Sequence, residues 1–220
     1  MLRQIDKENT LNSFLKGCAC AAGVMFLLWY WQAGSGPMRR LGLSGQQLPP
    51  LMMRGGDPYV RALMRTISAA ESNVSQPYSV LYGGEYVADL SRHPDRCIRI
   101  VTGPNKNNCT TAAGRYQMLT TTWEEKARNY HPHPGGFFWW KSYSFEPEFQ
   151  DAVVYGWLSD SYAWGADIPQ LLRQGKLNEV LRLLSGTWTS LGYGIEDNSM
   201  TGDLPEVYQK MLREELRAAK

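Results

Sequence analysis

The sequence predicts an α+β protein, mostly helical, with one small β-hairpin region and a single hydrophobic N-terminal helix ahead of the folded part. Three observations predict it. From Asp57 onward, apolar residues recur at helical spacing behind good N-caps. Two β-rich segments flank the pair Gly83-Gly84. A run without charged residues extends from Gly17 through Met38. A chain of 220 residues suits one domain with an appendage. A net charge of +2 is too small to argue for a nucleic-acid partner. The eight Trp and twelve Tyr suit an aromatic cleft that stacks on sugars, and equally an aromatic core.

Residues 1–16 read as a short polar tail on the cytoplasmic side. Residues 17–36 read as a transmembrane or signal-anchor segment. The run is short for a full span and weakly hydrophobic in its first half. Its Trp29-Tyr30-Trp31 end suits an interfacial aromatic belt. An uncleaved anchor is preferred over a cleaved signal peptide, because the residues around Ala33 make a poor cleavage site. A buried core helix is the third reading. Residues 37–56 are rich in Gly, Pro and Gln and read as a linker. The folded domain is expected over residues 57–220.

Asp57 and Pro58 fit the N-cap and first position of a helix. Val60, Leu63, Met64 and Ile67 form one apolar face, and one more turn carries that stripe to Glu71. Asn73, Ser75 and Pro77 end the helix. A carboxylate at the C-terminal end of a buried stripe is a local contradiction. Desolvation and the negative end of the helix dipole both disfavour its charged form. An acid still protonated near neutral pH is what a general acid must be. Glu71 is therefore the candidate catalytic residue. The competing reading places it at the rim of the core, meeting solvent or an arginine.

Tyr78–Tyr82 and Glu85–Asp89 then read as a hairpin about Gly83-Gly84. Ser91–Ala113 is a long irregular loop, of a length that is usually functional. Its Cys97 and Cys109 either close a short disulfide loop, suited to an oxidising compartment, or remain two thiols. No Cys or Cys/His spacing suggests zinc. Ala112–Met118 leads into a helix that runs through Trp123 towards Asn129, and His131–Gly136 breaks the chain. Helices follow from Pro147, from Asp167 to Gly175, and over Leu177–Leu184. The last is expected to be capped by Asp203, with Glu206 completing a capping box. Between them, Gly186–Gly194 is an aromatic loop too rich in glycine for a helix.

The order of these blocks is itself informative. Ala70-Glu71-Ser72, then Gly83-Gly84-Glu85 with Asp89 and His93-Pro94, then Ala112-Ala113-Gly114-Arg115-Tyr116-Gln117 resemble successive blocks of the lambda-type phage endolysins. Gln150-Asp151-Ala152 and Trp188-Thr189-Ser190-Leu191 with Gly192-Tyr193-Gly194 resemble later blocks in the same order. The resemblance spans roughly residues 60–195 and implies a lysozyme-like fold. It implies a lytic transglycosylase of peptidoglycan, cutting between N-acetylmuramic acid and N-acetylglucosamine with formation of a 1,6-anhydro end. Glu71 would act as acid and then base, and no metal or redox cofactor would be required. Gln117 and Tyr116 would sit at the cleft, with Tyr193 as a sugar platform and Arg115 ranked lower. Trp188 is expected in the core. A hydrolytic muramidase would instead use a second carboxylate, for which Asp89 is the candidate, although Asp89 is favoured as a turn residue through Ser91. Glu85, Glu124 and Glu125 read as surface charges. His93 reads as a structural hydrogen-bonding residue. Asp151 reads as a cap or an ion-pair partner. The anchor, the Cys97–Cys109 loop and the Phe137–Trp140 insert depart from the family. Glycan strands are the expected partner, the inner membrane is the expected anchor point, and the catalytic domain would lie in the periplasm. A non-catalytic wall-binding protein is the rival from another class.

Overall fold

Asp57 starts the first helix by satisfying its orphan N–H groups. Its carboxylate accepts from the backbone of Tyr59 and Val60, and Pro58 occupies the first turn, so α1 runs Pro58–Glu71. The computed structural model describes residues 49–101, 105–137, 140–193 and 201–219. The helices that follow are α2 (Thr120–Tyr130), α3 (Pro147–Ser159), α4 (Ser161–Trp164), α5 (Ile168–Arg173), α6 (Leu177–Leu184) and α7 (Leu204–Ala218). The tail, the hydrophobic helix expected over residues 17–36 and most of the linker lie outside the described residues. Among the described residues no helix is long and apolar enough to cross a membrane.

The periodicity of α1 suggests one apolar face, but the helix is buried all round. Every residue from Ala62 to Ala69 is buried. The reason is its place: α7, α3 and α5 all pack against it. The polar residues on the far side are therefore satisfied inside. Thr66 Oγ1 donates to Ala62 O at 2.8 Å. Arg65 meets Glu214 at 2.6 Å and Glu215 at 3.1 Å, and Arg61 meets Glu215 at 2.6 Å. The first and last helices of the domain are thus joined by charge as well as by apolar packing.

Strand pairing is short and lies mostly elsewhere than the sequence suggests. The expected hairpin over Tyr78–Asp89 is present in a shortened form, with Leu81 N donating to Glu85 O at 2.7 Å and Val87 N to Ser79 O at 2.9 Å. The chain does reverse at Gly83 and Gly84, with φ of 85° and 94°. Pro77–Ser79, however, is a 3-10 turn. Val80 bridges Tyr86, and Leu81, bonded across the arm to Glu85, also bridges Ala113. The arm is too short for a ladder. Instead β1 (Ile98–Arg99) pairs antiparallel with β2 (Cys109–Thr110), inside the stretch read as an irregular loop. A second two-stranded sheet joins β3 (Gly135–Phe137) to β4 (Trp140–Ser142). A disulfide links Cys97 and Cys109 across the β1–β2 pair.

Two other local expectations change. Asp203 makes no side-chain cap bond, and its backbone, at φ −95° and ψ −10°, is already helical. The 3-10 turn Thr201–Asp203 runs directly into α7, so no capping box forms. Residues 49–56, read as linker, are folded onto the domain. Leu51 is buried, Met53 O and Gly55 O accept from Arg61, and Asp57 N donates to Tyr155 Oη at 2.8 Å.

Candidate active site

Glu71 is the last residue of α1, and Ser72 fixes where that helix ends. Ser72 N donates to Ser68 O at 2.8 Å, closing the helix. Ser72 Oγ donates to Arg115 O at 2.6 Å, fastening the helix end to the 112–118 loop. That loop is a tight reversal in which Ala113 and Met118 exchange backbone bonds at 3.1 and 3.0 Å. Gly114 permits it. Its φ is 73°, and a Cβ there would lie 2.3 Å from Gln150 Oε1 and 2.7 Å from Phe145. No other residue fits that approach.

The reversal decides which side chains reach the cleft. Gln117 has φ of 44°, a left-handed conformation. Its Nε2 donates to Gly114 O at 3.0 Å and Val80 O at 3.3 Å. With both carbonyls fixing the amide nitrogen, Oε1 is left as an acceptor. Tyr116 is turned the other way. It is 1 % exposed, and its hydroxyl donates to Asp151 Oδ1 at 2.6 Å. The expectation that Tyr116 touches substrate is therefore corrected: its side chain is spent on a buried carboxylate.

Glu71 and Gln117 line one cleft of about 440 Å³, together with Tyr82, Asn105, Thr110, Thr122, Trp157, Trp188 and Ser190 among others. Ser190 Oγ donates to Glu71 Oε1. Glu71 is half-buried. Trp188 is at once core and cleft: it is 4 % exposed, and its indole N–H donates to Tyr116 O at 3.0 Å. Trp157 lies 5.3 Å from it and stacks on Trp164 at 4.9 Å. Lys126 Nζ stands 4.5 Å from the Trp157 ring centre. Trp157 and Trp188 give the cleft an apolar wall beside polar amide and hydroxyl groups, a combination that suits a sugar chain.

The other singled-out residues fall elsewhere. Asp89 is exposed and accepts from Ser91 N at 2.9 Å; donation from Ser91 holds its carboxyl below the usual range. It lines a separate shallow groove with Tyr86, Arg92 and Arg96. Tyr193 is exposed, has φ of 65° and packs under Arg182 at 5.4 Å. It does not line the Glu71 cleft. Arg115 and Asp151 are fully buried behind the cleft. Glu85 pairs with Arg96 at 3.3 Å on the surface, and Glu125 pairs with Lys126 at 2.7 Å. His93 Nδ1 accepts from Asp95 N at 3.2 Å, so Nε2 donates to Met118 O at 2.9 Å. Burial pulls its pKa below the ordinary imidazole value. A larger groove of about 670 Å³ lies beside His93, lined by Arg92, Asp95, Glu124, Arg128 and Lys141. Its carboxylates are exposed, and Asp95 is taken by Thr120 at 2.7 Å, so it lacks the half-buried acid of the smaller cleft. Among the described residues no group of three or more His, Cys, Asp or Glu is placed to hold a metal.

Sequence reasoning missed Ser190, Tyr82, Thr122 and Trp157 as cleft residues. Ser190 stood inside the Trp188–Leu191 block, but nothing local marks it as the partner of Glu71.

A family model described as Endolysin matches residues 61–214. The endolysin of Escherichia phage lambda is 29% identical over 127 residues, which is 53% of this chain and 64% of that protein. The match thus spans less than two thirds of that relative. Among solved structures, a bacteriophage lambda lysozyme complexed with a chitohexasaccharide aligns with a TM-score of 0.54 at 22% identity. That alignment covers 72% of this chain and 97% of the other. It carries the lysozyme fold.

Proposed function

Because the chain belongs to the Endolysin family, we propose that it cleaves peptidoglycan between N-acetylmuramic acid and N-acetylglucosamine, as a lytic transglycosylase. One observation carries the choice of chemistry. Glu71 is the sole carboxylate among the described residues that line the cleft. A retaining hydrolase needs a second carboxyl about 5 Å away, and an inverting one needs it at roughly 6.5–9.5 Å. The nearest sequence candidate, Asp89, belongs to another groove and is engaged by Ser91.

In the proposed reaction the protonated Glu71 donates its proton to the glycosidic oxygen as the bond to the muramic C1 breaks. The leaving sugar departs with a free hydroxyl, and positive charge develops at C1. The muramic C6 hydroxyl attacks C1, and the Glu71 carboxylate takes its proton. The acid is restored and no water is consumed. Ser190, donating to Glu71 Oε1, stabilises the carboxylate formed between the two steps. The Gln117 acceptor is suited to an amide N–H or hydroxyl of the sugar. Trp157 and Trp188 supply the wall on which the chain lies.

We place this unit in the periplasm, where the substrate is, with residues 17–36 as the inner-membrane anchor. The test of the chemistry is mass spectrometry of muropeptides released from purified sacculi by the full chain. Products lighter by one water, without reducing ends, are expected. Reducing muramic ends would mean that water attacks. Glu71→Gln is expected to lose at least about a hundredfold in turnover with folding intact. Full activity in that variant would remove Glu71 from the mechanism.

A further inference from the structure

Two buried charges behind the cleft have no part in the chemistry above. Arg115 and Asp151 are each 0 % exposed. Neither takes part in a direct ion pair among the described residues. Both spend their charge on the main chain of residues 49–53, the segment by which the chain enters the domain. Arg115 Nη2 donates to Pro49 O at 2.7 Å, and Nη1 donates to Pro50 O at 2.9 Å. Asp151 Oδ2 accepts from Met52 N at 2.6 Å and Met53 N at 3.2 Å. The Tyr78 hydroxyl stands between them. It accepts from Arg115 Nη1 at 2.8 Å and donates to Asp151 Oδ2 at 2.7 Å.

The strap is thus recognised by backbone polarity, its carbonyls towards the cation and its N–H groups towards the anion. Leu51, between the two pairs, is buried, while the Met52 side chain is 55% exposed. A buried charge is tolerated only while such partners are in place. If residues 49–53 lift away, both charges lose their backbone partners at once.

Arg115 and its neighbour Tyr116 also hold the catalytic side. Arg115 O accepts from Ser72, the neighbour of Glu71, and Tyr116 O accepts from Trp188. Ser190, two residues beyond Trp188, donates to Glu71. Arg115 N is held by Gln150 Oε1 at 2.9 Å, and Tyr116 Oη by Asp151. Side chains at 115 and 116 serve the strap network, while their carbonyls serve the cleft.

Taking Glu71 as the acid, on which this inference rests, we propose that Arg115 and Asp151 are positioning residues that make the alignment of Glu71 conditional on the docking of residues 49–53. The strap seats, the two charges hold the 115–116 backbone, and that backbone holds Ser72 and Trp188. Whatever acts on the chain ahead of residue 49 then has a route to the catalytic acid.

The test uses the full chain and initial rates on soluble, uncross-linked peptidoglycan strands. Met52→Pro deletes one N–H donated to Asp151, and Met52→Ala keeps it. Rates are expressed per folded molecule, with the folded fraction taken from near-UV circular dichroism. Met52→Pro is expected to lower kcat at least tenfold with KM within twofold, and Met52→Ala to match the parent. Met52→Pro combined with Asp151→Asn should be slower by less than the product of the two single effects, because the two residues share a contact. An unchanged kcat per folded molecule in Met52→Pro, whatever its Tm, overturns the proposal. Should Met52→Pro not fold, Tyr78→Phe is judged by the same kcat criterion. Glu71→Gln separates the two readings. An inactive Glu71→Gln beside a fully active strap variant removes only the strap's role, whereas an active Glu71→Gln removes both.

Discussion

Glu71 and Ser190 meet although they are 119 positions apart in the chain. A glutamate at a helix end is legible from periodicity, but its hydroxyl partner is not, because no spacing rule links α1 to the turn after α6. In the proposed chemistry the contact matters, since hydrogen bonds to charged groups contribute roughly 1.5–3 kcal/mol. Ser190→Ala is therefore expected to lower kcat about tenfold with KM little changed, read from initial rates on soluble glycan strands. A change in KM alone would mean that Ser190 contacts substrate and not the acid. Gln117 and Tyr116 carry the opposite lesson. The resemblance placed both at the cleft, and the fold sends their side chains to opposite sides. At φ of 44° Gln117 turns the chain, so its neighbour Tyr116 points into the core.

At the scale of elements, the β1–β2 pair shows how a polar loop is held without a core of its own. Ile98, Arg99, Cys109 and Thr110 form only a two-residue ladder, and the disulfide closes it over a sequence separation of 12. A closed loop of that size is worth about 3 kcal/mol of unfolded-state entropy. Replacing both cysteines by serine is expected to lower the urea midpoint, and a reductant should do the same to the parent. Asn105 and Thr110 of this loop line the cleft, so the pair should also lose activity. The two His-Pro turns form a second common device. His93 and His131 each accept an N–H two residues on and face a backbone carbonyl through Nε2. Both pack on the ring cluster of Trp123, Phe145 and Phe149. Burial pulls both pKa values below the ordinary 6.5. Above that pH the two states bind protons alike. Below it the unfolded chain takes up protons that the folded chain resists, so stability falls with pH. The urea midpoint should drop between pH 7 and pH 5, less steeply in His93→Gln.

At the scale of the molecule, α1 is the axis. Its enclosure by α7, α3 and α5 is why a helix with one apolar stripe is buried on all sides. Arg61 and Arg65 are tolerated there because Glu214 and Glu215 of α7 reach them. Removing one partner of a buried ion network is costlier than the network's own worth. Glu215→Ala is expected to cost about 3 kcal/mol, read as a fall in urea midpoint with catalysis of the remaining folded protein intact. A loss below 0.5 kcal/mol, the ordinary scale of surface charges, would mean that α1 and α7 are held by apolar packing alone.

The sequence by itself determined what is local. The Asp57 cap, the end of α1 at Glu71, and the helices from Pro147 and over Leu177–Leu184 all rest on signals within a turn or two of the residue concerned. The block order carried the family resemblance; Glu71, singled out from periodicity, and Gln117, singled out from the resemblance, line one cleft. Tertiary structure decided what depends on distant segments meeting. Which face of α1 is covered, whether Cys97 joins Cys109, and that Ser190 serves Glu71 all belong here. So does the fate of residues 49–53, whose Gly- and Pro-rich surroundings read as linker. Their main chain is held by Arg115 and Asp151, and no composition reveals a backbone held by buried charges so far along the chain.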